Sequence, residues 1–161
     1  NQQPFLSDAS RPYEPEFIQN FEIGLKRATK KYQTQLSAFY SLRKDQQVSV
    51  SSQQDKENPN SFLFYTGNAG SGTIQGFEWE NTLNLSSNLN MDATLGYLTT
   101  WVNKFTYFAA EGVEAIGGDR EAAMSPKMTG SVGFNFKNNS GIFGLVQMSF
   151  KDEYYFSDSH N

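Results

Sequence analysis

Apolar and polar residues alternate with a period of two along most of this chain. Phe21, Ile23 and Leu25 fall on one face of a segment opening at Phe17, and Asn20, Glu22, Gly24 and Lys26 on the other. That is the signature of a half-buried strand. Ala28-Thr29-Lys30-Lys31 reads as a tight polar turn. The pattern then returns with Tyr32, Thr34, Leu36, Ala38, Tyr40 and Leu42 on one side, opposed by Gln33, Gln35, Ser37, Ser41 and Arg43. Phe39 is the exception on the polar side. The strand is expected to run on to Val50, before a polar loop from Gln53 to Asn60. Phe62 to Thr66 resumes extended structure, and glycines between Gly67 and Gly72 interrupt it.

Thr73 to Leu85 sets Phe77, Trp79, Leu83 and Leu85 against Gly76, Glu78, Glu80 and Asn84. After the turn Ser86-Ser87-Asn88 comes the cleanest alternation: Leu89, Met91, Ala93, Leu95, Tyr97, Thr99 and Trp101. Phe105 to Ser125 reads as a long loop, with at most a short helical turn around Glu111 to Ala115. Met128, Val132, Phe134 and Phe136 mark a further strand. Ile142, Val146, Met148 and Phe150 mark the last, expected to end near Phe156. Residues 1–16, broken by Pro4, Pro12 and Pro15, read as irregular. The expected fold is all-β, an antiparallel up-and-down meander of about six long strands. Its connections alternate short and long, as they do in outer-membrane barrels.

Composition sharpens this picture. Aromatic residues make up 15% against only 37% hydrophobic, and charged residues only 19%. Polarity therefore comes largely from Asn, Gln, Ser and Thr, which suits a sheet whose two faces meet different solvents. The 161 residues hold no run of about 18 apolar residues, so no transmembrane helix is expected. Lys and Arg number 13 and Asp and Glu 17, a net charge of −4, which argues against a nucleic-acid partner. Cysteine is absent, which removes thiol nucleophiles and cysteine-ligated metals. His160 is the one histidine, so neither a histidine triad nor a multi-histidine metal site is expected.

Three motifs suggest chemistry and fall short. Gly67 to Thr73 resembles a phosphate-binding loop, but no lysine precedes Thr73 and a strand follows where a helix is needed. Glu78 and Glu80 share a face, yet a glycosidase needs carboxylates opposed across a sugar cleft. The acidic stretch from Glu111 to Glu121 lacks the periodicity of an EF-hand.

Pro15-Glu16 followed by Asn20-Phe21-Glu22-Ile23-Gly24-Leu25-Lys26 resembles a strand opening in the barrel of TonB-dependent outer-membrane receptors. Phe39-Tyr40 with Lys44-Asp45-Gln46-Gln47-Val48 is similar to the strand after it. Asn68-Ala69-Gly70, Gly76 to Glu80, Gly96-Tyr97-Leu98, Ser125-Pro126 and Tyr155 to Asn161 continue the likeness in family order. No one of these is specific by itself; the ordered set is.

That resemblance implies a transmembrane β-barrel of 22 strands in the outer membrane of a Gram-negative bacterium. It implies active uptake of a scarce ligand such as a ferric siderophore, haem, cobalamin or an oligosaccharide, and no catalysis. No cofactor and no resident metal are expected. The partners implied are outer-membrane lipid, the transported ligand, and the TonB complex acting through a plug domain. Neither plug nor TonB box is recognised in residues 1–161, so the chain is expected to be a partial barrel domain from the C-terminal half. Ligand contacts are expected from the loops at Gln53–Asn60 and Phe105–Ser125. Tyr107, Phe108, Glu111, Glu114, Asp119, Arg120 and His160 are the candidate residues. Two alternatives remain open: a complete small outer-membrane barrel, and a soluble all-β glycan-binding domain that hides its apolar face against a second sheet.

Overall fold

The computed structural model describes residues 14–53, 55, 57–68, 70–110 and 113–156; at 49–52, 63, 65 and 108–110 only the backbone is described. The wall of the molecule is a six-stranded antiparallel sheet. Its strands are β1 (Phe17–Ala28), β2 (Tyr32–Lys44), β5 (Gly72–Asn84), β6 (Leu89–Val102), β9 (Met128–Lys137) and β10 (Phe143–Lys151), in that spatial order. Two further hairpins rise from one rim: β3 (Gln47–Gln53) with β4 (Phe62–Asn68), and β7 (Phe105–Ala110) with β8 (Val113–Gly117). The up-and-down meander expected from the alternation is the fold observed, with tight turns at one end and long excursions at the other.

Register shows why the alternation works. Leu36 pairs with Trp79, Trp79 with Leu95, and Leu95 with Gly130. One row away, Phe77 pairs with Tyr97, and their rings stack at 5.7 Å. Because the side-chain period is two, one correct register places every apolar stripe on the same face. Phe77, Trp79, Leu83, Leu89, Met91, Leu95 and Tyr97 therefore share a face, as their spacing predicts. Glu22, Glu78, Glu80, Asp92 and Lys137 lie on the other.

Among the described residues nothing covers the apolar face. Ile23 is 76% exposed and Met148 73%, and Val102 is the only buried hydrophobic side chain among the described residues. A fully buried aliphatic side chain gains about 1.5–3 kcal/mol over an exposed one. A whole sheet face cannot forgo that, so it requires an apolar surround. The soluble alternative needs a second sheet on this face, and the described residues supply none. The strands, 9 to 14 residues long, match the roughly 9–11 that cross a bilayer when tilted.

One pair of polar groups on the apolar face satisfies itself locally. The Trp79 indole Nε1–H donates to Thr34 Oγ1 at 3.0 Å, which accounts for a threonine inside the apolar stripe of β2. Replacing Thr34 with valine keeps the shape and orphans the indole N–H. We expect a loss of about 1–3 kcal/mol in the unfolding free energy of the lipid-embedded barrel, and a smaller loss for Trp79→Phe in the Thr34→Val background. Equal effects of Thr34→Val with and without the indole would show that the bond contributes nothing.

Phe39, the aromatic on the polar face, pairs directly with Gly76. A Cβ at Gly76 would lie 3.0 Å from the Phe39 ring and 2.2 Å from the Tyr97 carbonyl oxygen. Phe39 thus covers bare backbone where β5 and β6 approach closely, which is what an aromatic across from a strand glycine does.

Four expectations need correction. The second strand does not run through to Val50. It breaks at Asp45, which adopts a left-handed φ of 53°, and β3 starts at Gln47. Phe105–Ser125 is not a continuous loop, because β7 and β8 occupy much of it. Its Phe, Tyr, Thr, Val and Ile residues are strand formers, and their pattern is masked by the intervening Glu and Gly. The helical turn suggested near Ala115 is absent, since Val113–Gly117 is strand. The last strand ends at Lys151, not near Phe156. Past it the chain stays beside the segment before β9 without strand pairing: Asp152 N–H donates to the Met128 carbonyl at 2.9 Å and Met124 N–H to the Tyr155 carbonyl at 2.8 Å, while the Tyr154 and Phe156 rings meet at 5.3 Å. The glycine-rich stretch from Gly67 to Gly72 leads into β5, so no helix is there to receive a phosphate.

The two rim hairpins join edge to edge. Their sheet has the order β4-β3-β7-β8, and β3 meets β7 in parallel through one pair, Gln53 with Ala110. In the wall, the strands that carry these hairpins run β2-β5-β6-β9. Direct continuation would put β4 beside β7. At the foot the wall order still holds, with Asn103 N–H donating to the Ser71 carbonyl at 2.9 Å, so the β3–β4 hairpin exchanges its two strands between its foot and the Gln53–Ala110 pair.

Candidate functional site

The rim is where long connections converge, and its foot holds the buried core of the described chain. Val102 is 3%, Thr100 5% and Gln46 7% exposed. Val102 and Arg120 exchange backbone hydrogen bonds of 2.8 and 3.4 Å. From Arg120 to Met128 the strand partner of β6 has several residues more than β6 itself, so it bulges. Ala122 N–H donates to Thr100 Oγ1 at 2.9 Å, which places that bulge over the polar face. The reversal out of β8 uses left-handed Gly118 (φ 71°) and Asp119 (φ 54°), residue types that tolerate this region.

The candidate ligand residues do not form one cluster. Tyr107 lies on β7 opposite Ala115, on the face of Phe105, and those two rings sit 6.1 Å apart. Phe105 covers Gly117, whose Cβ would sit 2.4 Å from its ring. Glu114 pairs with Phe108 and so projects from the opposite face of the hairpin, exposed. Asp119 is exposed at the hairpin foot. Arg120 is half-buried, its guanidinium carbon 4.6 Å above the Tyr155 ring. Glu111 and His160 lie outside the described residues, and Phe108 is described by its backbone alone.

Alternation along the wall could not reveal two hollows that the fold creates. On the polar face Phe39, Glu78, Gly96, Leu98, Pro126 and Thr129 line a shallow hollow of about 130 Å3. At the rim Glu121, Lys127, Asp152, Glu153, Tyr154 and Tyr155 line another of about 410 Å3. Glu121 and Lys127 pair at 2.5 Å. The hydrogen bond and charge of Glu121 hold the Lys127 ammonium above the usual lysine range. The acidic loop is thus partly neutralised by a lysine outside it. The wall's polar face keeps its carboxylates: Asp92 accepts from Thr82 at 2.7 Å and from Asn135. Among the described residues no group of three or more His, Asp or Glu is arranged to hold a metal ion.

A two-faced antiparallel meander with one plain rim and one elaborated rim has the make-up of a section of a transmembrane β-barrel wall. More particularly, the chain belongs to the TonB dependent receptor-like β-barrel family, whose model matches residues 1–161. Comparison with curated protein sequences finds no match. Among solved structures, the chain is similar to the ferric yersiniabactin uptake receptor FyuA from Yersinia pestis. The TM-score is 0.65 and the identity 16%, over 89% of this chain and 20% of that one. It is similar to the copper transporter OprC with a TM-score of 0.69 and 16% identity, over 93% of this chain and 20% of that one. At such identity the likeness is one of fold. The chain spans about a fifth of the length of either structure.

Proposed function

We propose that this chain is a wall section, with its rim hairpins, of a receptor that takes up a scarce ligand across the outer membrane of a Gram-negative bacterium. The observation that carries this reading is the family match over the whole length of the chain. The uncovered apolar face and the elaborated rim support it. The barrel domain of 22 strands is completed by strands beyond β1 and β10, whose outer edges are unpaired in this sheet. The apolar face meets lipid. The polar face lines the lumen around a plug domain, through which the TonB complex supplies energy. No bond of the ligand is made or broken, so the work is binding and translocation.

A metal–chelate ligand of the ferric siderophore kind is the reading we favour. Support comes from the two similar structures, which are named for ferric yersiniabactin uptake and for copper transport. Ligand contacts are assigned to the β7–β8 hairpin, including Tyr107 and Glu114, and to the β3–β4 hairpin beside it. The test is accumulation of radioactive iron from a panel of ferric chelates, with copper(II) in parallel, in cells with and without the intact receptor. We expect receptor-dependent accumulation of one ferric chelate that stops when TonB is deleted. Receptor-dependent uptake indifferent to TonB would overturn the reading.

A further inference from the structure

The β3–β4 hairpin, whose strands have changed places where it meets β7, joins the wall through a two-stranded hinge. The hinge has two strands. One is Asp45-Gln46, between β2 and β3, where Asp45 is left-handed. The other leaves β4 at its last residue, Asn68, and enters β5 at Gly72. Beyond the hinge, the hairpin is tied to its neighbour β7 by one backbone pair. So little pairing cannot by itself hold a displaced hairpin of two seven-residue strands.

The fastening comes from the segment before β1. Glu16 spans the break in the first hinge strand with its two carboxylate oxygens. Oε1 accepts from Arg43 on the wall strand β2, through Nε at 2.9 Å and through the terminal guanidinium nitrogen. Oε2 accepts from the backbone N–H of Gln47, the first residue of β3, at 3.0 Å. Two residues earlier, Glu14 clasps the second hinge strand. Its N–H donates to Asn68 Oδ1 at 2.7 Å, and its carbonyl accepts from Asn68 Nδ2 at 2.9 Å. Asn68 Nδ2 also donates to the Asp45 carbonyl at 2.7 Å, joining the two hinge strands to each other. Gln47 Nε2 closes the ring with a 3.3 Å bond to the Glu14 carbonyl.

We propose that Glu16 is the latch of a hinged rim hairpin, holding β3–β4 in its strand-exchanged position over the wall and against β7. The single carboxylate joins the rigid side of the hinge to the movable side. Hydrogen bonds to a charged group are stronger than neutral ones, so this is the bond whose loss frees the hairpin. The backbone amide of Gln47 and the Arg43 guanidinium both favour the ionised carboxyl and hold it below its ordinary range, as a formed latch requires. Release leaves the wall intact, because β2 remains paired on both sides, with β1 and with β5. The inference is independent of what the receptor transports.

The test is amide hydrogen exchange on the intact receptor in lipid nanodiscs, without ligand, comparing wild type with Glu16→Gln and with Asn68→Ala. Glutamine keeps the size of the side chain and removes the charge. We expect exchange at Gln47–Gln53 and Phe62–Asn68 to rise about tenfold or more in Glu16→Gln, with Tyr32–Leu42 unchanged. Asn68→Ala should accelerate the same two strands. Unchanged exchange in β3 and β4 for both variants would overturn the proposal. So would an equal rise across β2, which would mean that Glu16 merely stabilises the wall.

Discussion

Arginine in place of Leu95 should lower the stability of the inserted barrel by about 2–4 kcal/mol, and arginine at the adjacent Thr94 by far less. The two positions are one residue apart on β6 and differ only in face. Leu95 sits between Trp79 and Gly130, near the middle of the apolar stripe. A guanidinium there must leave water for hydrocarbon, and no acid on that face of the neighbouring strands can pair with it. Thr94 points the other way and shares a 2.8 Å hydrogen bond with Ser131 across the strand pair. An arginine at that position enters a polar lumen already lined by Glu78 and Glu80. Reversible denaturant unfolding of the full barrel in vesicles measures both costs. Comparable losses at the two positions would mean that the faces have been assigned wrongly.

That assignment was legible in the sequence because it rests on a local rule. Alternation in β5 and β6 places Phe77, Trp79, Leu95 and Tyr97 on one face before any register is known, and the observed pairing keeps them there. The turns at Thr29–Lys31 and Ser86–Asn88 were legible for the same reason. What was hidden depends on contacts distant in sequence. Phe39 breaks the alternation because of Gly76, which lies across the strand pair. Asp45 stops β2 although Gln47 and Val48 continue a strand-like pattern, and the cause includes Glu16 and Asn68. No local pattern foretells that β3, and not β4, would meet β7. The β7–β8 hairpin was a nearer miss. Phe105, Thr106 and Tyr107 before, and Val113 and Ile116 after, a Glu-Gly step carry strand propensity that the acidic residues conceal.

The hairpin also changes how the proposed ligand site should be tested. Deleting Gly112–Glu121, the natural cut through a structureless loop, would remove β8 together with the Arg120 backbone that bonds Val102. Any loss of binding could then come from damage to the wall. The foot of the hairpin offers a cleaner excision. The chain returns on itself there, so closely that a Cβ at Gly118 would lie 2.2 Å from the Asn103 carbonyl oxygen. Removing Phe105–Gly117 and joining Lys104 to Gly118 therefore spans almost no distance and spares the Val102–Arg120 pair. Exposed loop residues on a rigid scaffold are where recognition concentrates, and this excision removes Tyr107 and Glu114 from both faces of the hairpin at once. We expect at least a tenfold loss of affinity for the ferric chelate proposed as ligand, with insertion and the heat-resistant mobility of the barrel unchanged. The paired substitutions Tyr107→Ala and Glu114→Ala, made separately, then show which face of the hairpin the ligand meets. Tyr107 shares its face with Phe105, so a flat, partly apolar chelate should depend on Tyr107, and a cationic one on Glu114. Full affinity after the excision would remove the hairpin from the site and leave it as cover for the mouth of the barrel.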